Sequence, residues 1–135
     1  MKEKAIFNTL FKLGTSIEKA GNARIASVIT LKKDIVSFGF NSIKSHPFQR
    51  KFGKNEESIY LHSEIDAIKN ALKTISVKDF KYSSLYISRV KQNIRGGDFV
   101  CGLARPCVGC MKAIATFGIN NIYYTEDNKN EFTCL

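Results

Sequence analysis

Four residues in this chain have side chains and spacing suited to chemistry at a metal: His62, Glu64, Cys107 and Cys110. A hydrolytic zinc site needs three protein donors and one position left for water, and Cys-x-x-Cys with a distant histidine supplies three soft or borderline donors. A water at such a site must lose a proton, and a carboxylate close to the metal without binding it can take that proton and pass it on. Glu64, two positions after His62, is the candidate for that task. Pro106 before the first cysteine suits the start of a helix, where its missing N–H costs little, and the exposed N–H groups of a helix start favour thiolate. A lone His-x-Glu or a lone Cys-x-x-Cys carries little information, but both together, each opening an expected helix, suit an open three-donor zinc site with a proton carrier beside it.

The elements that must position these residues follow from apolar spacing. Ile6, Leu10, Leu13 and Ile17 make one stripe, predicting a helix over 2–20 that Gly21 and Asn22 would end. Arg24–Leu31 and Asp34–Phe40 are two β-rich runs around Lys32 and Lys33, the composition of an antiparallel hairpin. A connection over 41–57 follows, in which Lys44, His46, Arg50, Lys51 and Lys54 alternate with Phe48 and Phe52 around Pro47. It reads either as a substrate-facing loop or as a solvated insertion. Ile65, Ile68, Leu72 and Ile75 predict a helix over about 58–75, with His62 and Glu64 in its first turns.

Leu85–Val90 reads as a strand, 91–105 as a glycine-containing loop, 107–117 as a helix stopped by Gly118, and Ile119–Thr125 as a strand. A strand–helix–strand unit of this kind makes its strands parallel, so with the antiparallel hairpin the sheet is mixed. Asp127–Asn128 is turn chemistry, and the tail is expected to add an antiparallel edge strand. The expected architecture is a small α/β/α layered domain built on a mixed sheet of about five strands. With no linker or repeat over 135 residues, a single domain, 1–135, is expected.

Hydrophobic residues make up 44% and charged residues 24% of the chain, which fits a soluble globular domain and argues against disorder. No apolar run approaches the roughly 18 residues of a membrane span. The first residues lack a signal-type core, so a cytoplasmic location is expected. Four cysteines, three of them within ten positions, suit metal in a reducing compartment better than a disulfide framework. The net charge of +9 attracts anions, with nucleotides, nucleic acid and phosphate all admissible.

On the segments LHSEIDAIKNAL and ARPCVGCMKAIATFGINNIYYT the sequence resembles the cytidine and deoxycytidylate deaminase superfamily, in element order over residues 23–125. Gly118, Ile119 and Tyr123–Tyr124 repeat that family's pattern after the cysteine helix. The resemblance implies a cytidine-deaminase-like fold and a Zn2+ cofactor held by His62, Cys107 and Cys110, with Glu64 as the catalytic proton carrier. It also implies substrate-binding roles for Asn41, in a Gly-x-Asn after the second strand, and for groups at Ser63, Arg105 and Pro106. The implied reaction is hydrolytic conversion of a cytosine base to uracil with release of ammonia, and a homo-oligomeric state comes with the family. Two departures weaken any one substrate: Asp66 stands where deoxycytidylate enzymes usually carry Asn, and the chain stops short of a further helix and parallel strand.

A pyrimidine nucleoside or nucleotide such as deoxycytidylate is the leading substrate. The rival is cytosine or adenine in single-stranded DNA or RNA, favoured by the charge and by Phe48, Phe52 and Phe99 near basic residues. A third reading closes the metal site with Cys101 as a fourth ligand, giving a structural zinc in a nucleic-acid-binding module with no need of Glu64. Otherwise Cys101 is a buried or loop thiol, Cys134 a tail residue without a role, and Tyr123–Tyr124 a strand with one ring buried.

Overall fold

The structure is a computed structural model that describes residues 2–16, 24–32, 34–41, 62–92, 97–127 and 132–134. Its centre is a mixed sheet. Strand β1 (Arg24–Leu31) pairs antiparallel with β2 (Asp34–Phe40), the expected hairpin, with Lys32 in the left-handed region at its turn. On its other side β1 pairs antiparallel with β3 (Ser83–Gln92).

The free edge of β3 is then shared between two partners. Its last residues pair antiparallel with β4 (Phe99–Gly102), and Ser84–Ile87 pair parallel with β5 (Asn121–Thr125). Thr125 joins the two: its hydroxyl donates to the Gly102 carbonyl at 2.6 Å and accepts from Arg89 N–H at 3.1 Å, and its own carbonyl accepts from Ala104 N–H. Strand β6 (Phe132–Cys134) closes the far side of β5 antiparallel, as expected of the tail. The described residues thus form six strands where about five were expected. The addition is β4, lying inside the stretch read as a loop, and four residues bounded by Gly97 and Gly102 carry too little periodicity to announce a strand.

Helices cover both faces. On one side lies helix α1 (Lys2–Thr15), whose Ile6, Phe7 and Leu10 pack with Ala26, Val28 and Tyr86. It ends before the expected position because the hydroxyls of Thr15 and Ser16 bind the carbonyls of Lys12 and Leu13, occupying the acceptors of the last turn. Ile17, Gly21 and Asn22, which carried the longer expectation, lie outside the described residues.

The opposite face carries α2 (Ser63–Ala71) and α3 (Val108–Phe117) over a core that includes Ile29, Ile65, Ile68, Leu85, Ile87, Ile114 and Tyr124. The strands alternate accordingly: Ile25 and Ile29 of β1 face α2, while Ala26 and Val28 face α1. Tyr124 is buried towards α2 and α3, and Tyr123 stacks on Tyr86 on the other face at 4.9 Å. Helix α2 is shorter than expected at its C-terminal end. It stops at Ala71, and Leu72 and Ile75 pack on the same core from the turn that follows. The part of the expected helix over 58–61 lies outside the described residues. A 3-10 helix over Val77–Tyr82, opened by a reciprocal Ser76–Asp79 capping box, leads into β3.

No helix among the described residues is long and apolar enough to cross a membrane.

Candidate metal centre

The starts of α2 and α3 bring the chemistry together. His62 is the N-cap of α2 in extended conformation, and Cys107 is the N-cap of α3, its sulfur accepting Cys110 N–H at 3.4 Å. Helix α3 ends as the sequence predicts, with Gly118 at φ 80°, a left-handed position that costs glycine nothing.

Four polar links and one missing side chain hold α2 in place. Ser37 Oγ donates to the Ala67 carbonyl, Asn70 Nδ2 to the Phe38 carbonyl and Phe40 N–H to Asp66 Oδ2, while Ser63 Oγ lies 2.7 Å from Ser27 Oγ. A Cβ at Gly39 would lie 2.2 Å from the Ser63 carbonyl oxygen and 2.3 Å from Ala67 N, so only glycine lets the helix backbone approach β2 this closely. Asp66 also pairs with Lys69 at 3.1 Å.

His62 Nδ1 lies 3.3 Å from Cys110 Sγ and 3.6 Å from Cys107 Sγ. One donor atom from each of the three residues lies within 4.8 Å of the other two, and this is the metal-capable group among the described residues. Zinc bonds of about 2.3 Å to sulfur and about 2.0–2.1 Å to nitrogen at a tetrahedral angle put N and S about 3.6 Å apart, so the observed spacings suit the ion. Cys110 is fully buried, His62 half-buried and Cys107 exposed, which leaves one side of the group facing outward.

The electrostatics suit a cation too. The Cys107 thiol is pulled down to about 3, first by the hydrogen bond from the Cys110 thiol and then by that from His62. Cys110 is pushed up as the partner that keeps the proton, with burial and the Glu64 carboxylate adding to the effect. His62 is raised, chiefly by its contact with the Cys107 sulfur. The group thus gathers thiolate character at its centre, which suits a cation.

Glu64 stands in the first turn of α2, 5% exposed, with its carboxylate beside His62 and Cys110 but outside the three-donor group. Ser63 Oγ donates to Glu64 Oε1 at 2.7 Å. Asn41 follows β2, where its Oδ1 accepts Ile25 N–H at 2.9 Å and its own N–H donates to the Ile25 carbonyl, so the amide is held in one orientation. Arg105 is exposed and Pro106 buried in the segment running into Cys107.

The Ser63 side chain is wholly buried and turned to Glu64 and Ser27, so only its backbone is left for a substrate. Ser27 escaped the sequence reading. Its signal was present as a polar residue at the core-facing position between Ile25 and Ile29.

Cys101 is buried on β4 and lines a cavity with Lys4, Phe7, Phe11 and Phe132 on the α1 side of the sheet, away from the donor group. A closed four-ligand site through Cys101 is not what the fold builds. Burial pushes its thiol up, as befits an inert one. Cys134 lies exposed in β6, and the Arg24 guanidinium stands 5.0 Å over the Phe99 ring. The basic loop with Lys44, His46, Phe48, Arg50, Lys51, Phe52 and Lys54 lies outside the described residues.

A layered α/β/α fold with an open His–Cys–Cys group at two helix starts defines a zinc-dependent hydrolase of nucleobase-deaminase type. The sequence matches the profile of the cytidine and deoxycytidylate deaminase zinc-binding region over residues 1–126, and the chain belongs to that family. The fold is similar to that of deoxycytidylate (dCMP) deaminase from the cyanophage S-TIM5. The apo form matches with a TM-score of 0.61 and 18% identity over 94% of this chain and 85% of that one. The same phage enzyme in complex with dCMP and dUMP matches with a TM-score of 0.54 and 17% identity over 92% of this chain and 78% of the other. Among curated protein sequences none matches this chain.

Proposed function

We propose that the protein hydrolytically deaminates a cytosine base carried on a nucleoside or nucleotide, with deoxycytidylate as the leading substrate, and that His62, Cys107 and Cys110 hold the zinc. The observation that carries this reading is the three-donor group with the Glu64 carboxylate beside it but outside it. Bound zinc supplies the polarisation that lets a water lose a proton near neutral pH.

The chain's own residues do the rest. Glu64 takes a proton from the attacking water and delivers it to the ring nitrogen of the base, then moves a second proton to the departing amino group, so that cytosine and water become uracil and ammonia. Asn41, held by Ile25, presents its amide to the sugar or base, and the backbone at Ser63 and at Arg105–Pro106 reads the base edge. Support for a nucleotide comes from the phage enzyme of similar fold, which was solved with dCMP and dUMP.

Ammonia release from zinc-loaded protein tests the reading, with cytidine, deoxycytidine, deoxycytidylate, adenosine and a single-stranded oligonucleotide in parallel. Turnover of the free cytosine compounds is the expected result. Turnover of the oligonucleotide alone would replace it with an editing activity, and silence on all five with zinc bound would overturn it.

A further inference from the structure

Three buried side chains form a line from the middle of the sheet to the edge of the donor group. Ser27 and Ser63 are each 0% exposed and their hydroxyl oxygens are 2.7 Å apart; Ser63 is in turn 2.7 Å from Glu64 Oε1. A serine hydroxyl has one hydrogen to give. Ser63 Oγ donates that hydrogen to Glu64 Oε1, so the bond between the serines must be donated by Ser27. The line has a direction, from Ser27 through Ser63 to Glu64.

We propose that Ser27 and Ser63 are positioning residues that fix the Glu64 carboxylate at the edge of the metal group. The proposal rests on the proton-carrying role given to Glu64 above. Ser27 is well suited as an anchor because β1 is bonded on both sides, Ser27 itself standing opposite Gly39 of β2 and Ile87 of β3. It occupies a slot between Ile25 and Ile29 where an apolar residue would pack without needing a partner. Two serines burying their hydroxyls in an apolar layer could satisfy one another alone, yet here the free hydrogen is aimed at the one buried carboxylate of α2 that lies beside the donor group. A glutamate has three side-chain torsions, and a short donor at its carboxylate removes the rotamers that point away from the substrate, which is how a supporting shell raises turnover.

The test compares Ser63→Ala, Ser27→Ala, the double variant and Glu64→Gln as zinc-loaded proteins, reading zinc content, kcat, KM and a high-resolution crystal structure of each. Ser63→Ala is expected to lower kcat about 10-fold with KM and zinc content unchanged, and to spread Glu64 over more than one rotamer. Ser27→Ala is expected to lower kcat about 3-fold, and the double variant no further than Ser63→Ala, because Ser27 acts through Ser63. Ser27→Cys, which keeps a weak donor in nearly the same volume, should recover part of the loss.

Glu64 in a single unchanged rotamer in Ser63→Ala would overturn the proposal, whatever the turnover. So would additive losses in the double variant, or a fall in zinc content that accounts for the lost rate. An active Glu64→Gln would instead sink the proton-carrying role, whereas an inactive Glu64→Gln beside a fully active Ser63→Ala would sink the relay alone.

Discussion

Glu64 and His62 are two positions apart yet stand differently to the donor group, and the helix start explains how. His62, as N-cap, lies outside the helical turn and swings its Nδ1 to the two sulfurs, while Glu64 inside the turn is buried next to the group without joining it. Removing each should therefore fail differently. Glu64→Ala is expected to retain zinc and fold while losing roughly 100- to 10,000-fold in kcat, the range of a positioned acid–base group. His62→Ala should lower the zinc content itself, measured by metal analysis after dialysis. That His62, Cys107 and Cys110 would come together was legible because their types and spacing suit a donor set. Ser27 was not, because a serine in a strand gives no sign in sequence of which residue its hydroxyl will meet across the core.

At the scale of elements, the close contact of α2 with β2 sets where both His62 and Glu64 stand. Gly39→Ala would push a methyl group into the Ser63 carbonyl and the Ala67 backbone, neither of which can rotate away. A loss of about 3 kcal/mol in stability is expected by urea denaturation, the upper part of the usual overpacking cost. The capping box of the 3-10 helix gives a pH signature. The N–H of Ser76, followed by its hydroxyl, holds the Asp79 carboxyl below the usual carboxylate range. A depressed folded pKa means the contribution is full above the ordinary aspartate value and fades as pH falls through the lower folded one. Asp79→Ala should therefore lower the melting temperature at pH 7, and the gap to the unaltered protein should narrow in scans taken below about pH 4. The hairpin β1–β2 and the stop of α3 at Gly118 were readable from local chemistry, a turn flanked by β-rich runs and a glycine where the backbone turns left-handed. The 3-10 helix and β4 were not, since each is short and is defined by partners elsewhere in the chain.

For the molecule as a whole, the sheet separates two cores that do different work. The side of α2 and α3 carries the donor group, while the α1 side is closed by aromatic packing, with Phe7 stacked on Phe132 at 4.7 Å and Tyr86 on Tyr123. Phe132→Ala should cost about 2 kcal/mol, below the usual range for a fully buried phenylalanine because this ring is only half-buried, and should leave zinc content and KM unchanged. Thermal unfolding beside metal analysis checks both halves of that expectation. The layered arrangement was legible because alternating runs and striped helices state which face each element buries, whereas the sharing of one strand edge between β4 and β5 depends on Thr125 meeting Gly102 and Arg89 across the chain.

That shared edge also joins near and distant parts of the chain. The β3–β4 pairing joins Gln92 to Phe99 across a short separation, whereas the parallel seam pairs Ser84 with Asn121 and closes a far longer loop, at a greater entropic cost. The cysteines belong to the segment enclosed by that longer loop, 45 and 48 positions downstream of His62. An ion held by donors so far apart in sequence would oppose their separation, so zinc-loaded protein is expected to melt at a higher temperature than metal-free protein, as thermal scans with and without a chelator would read.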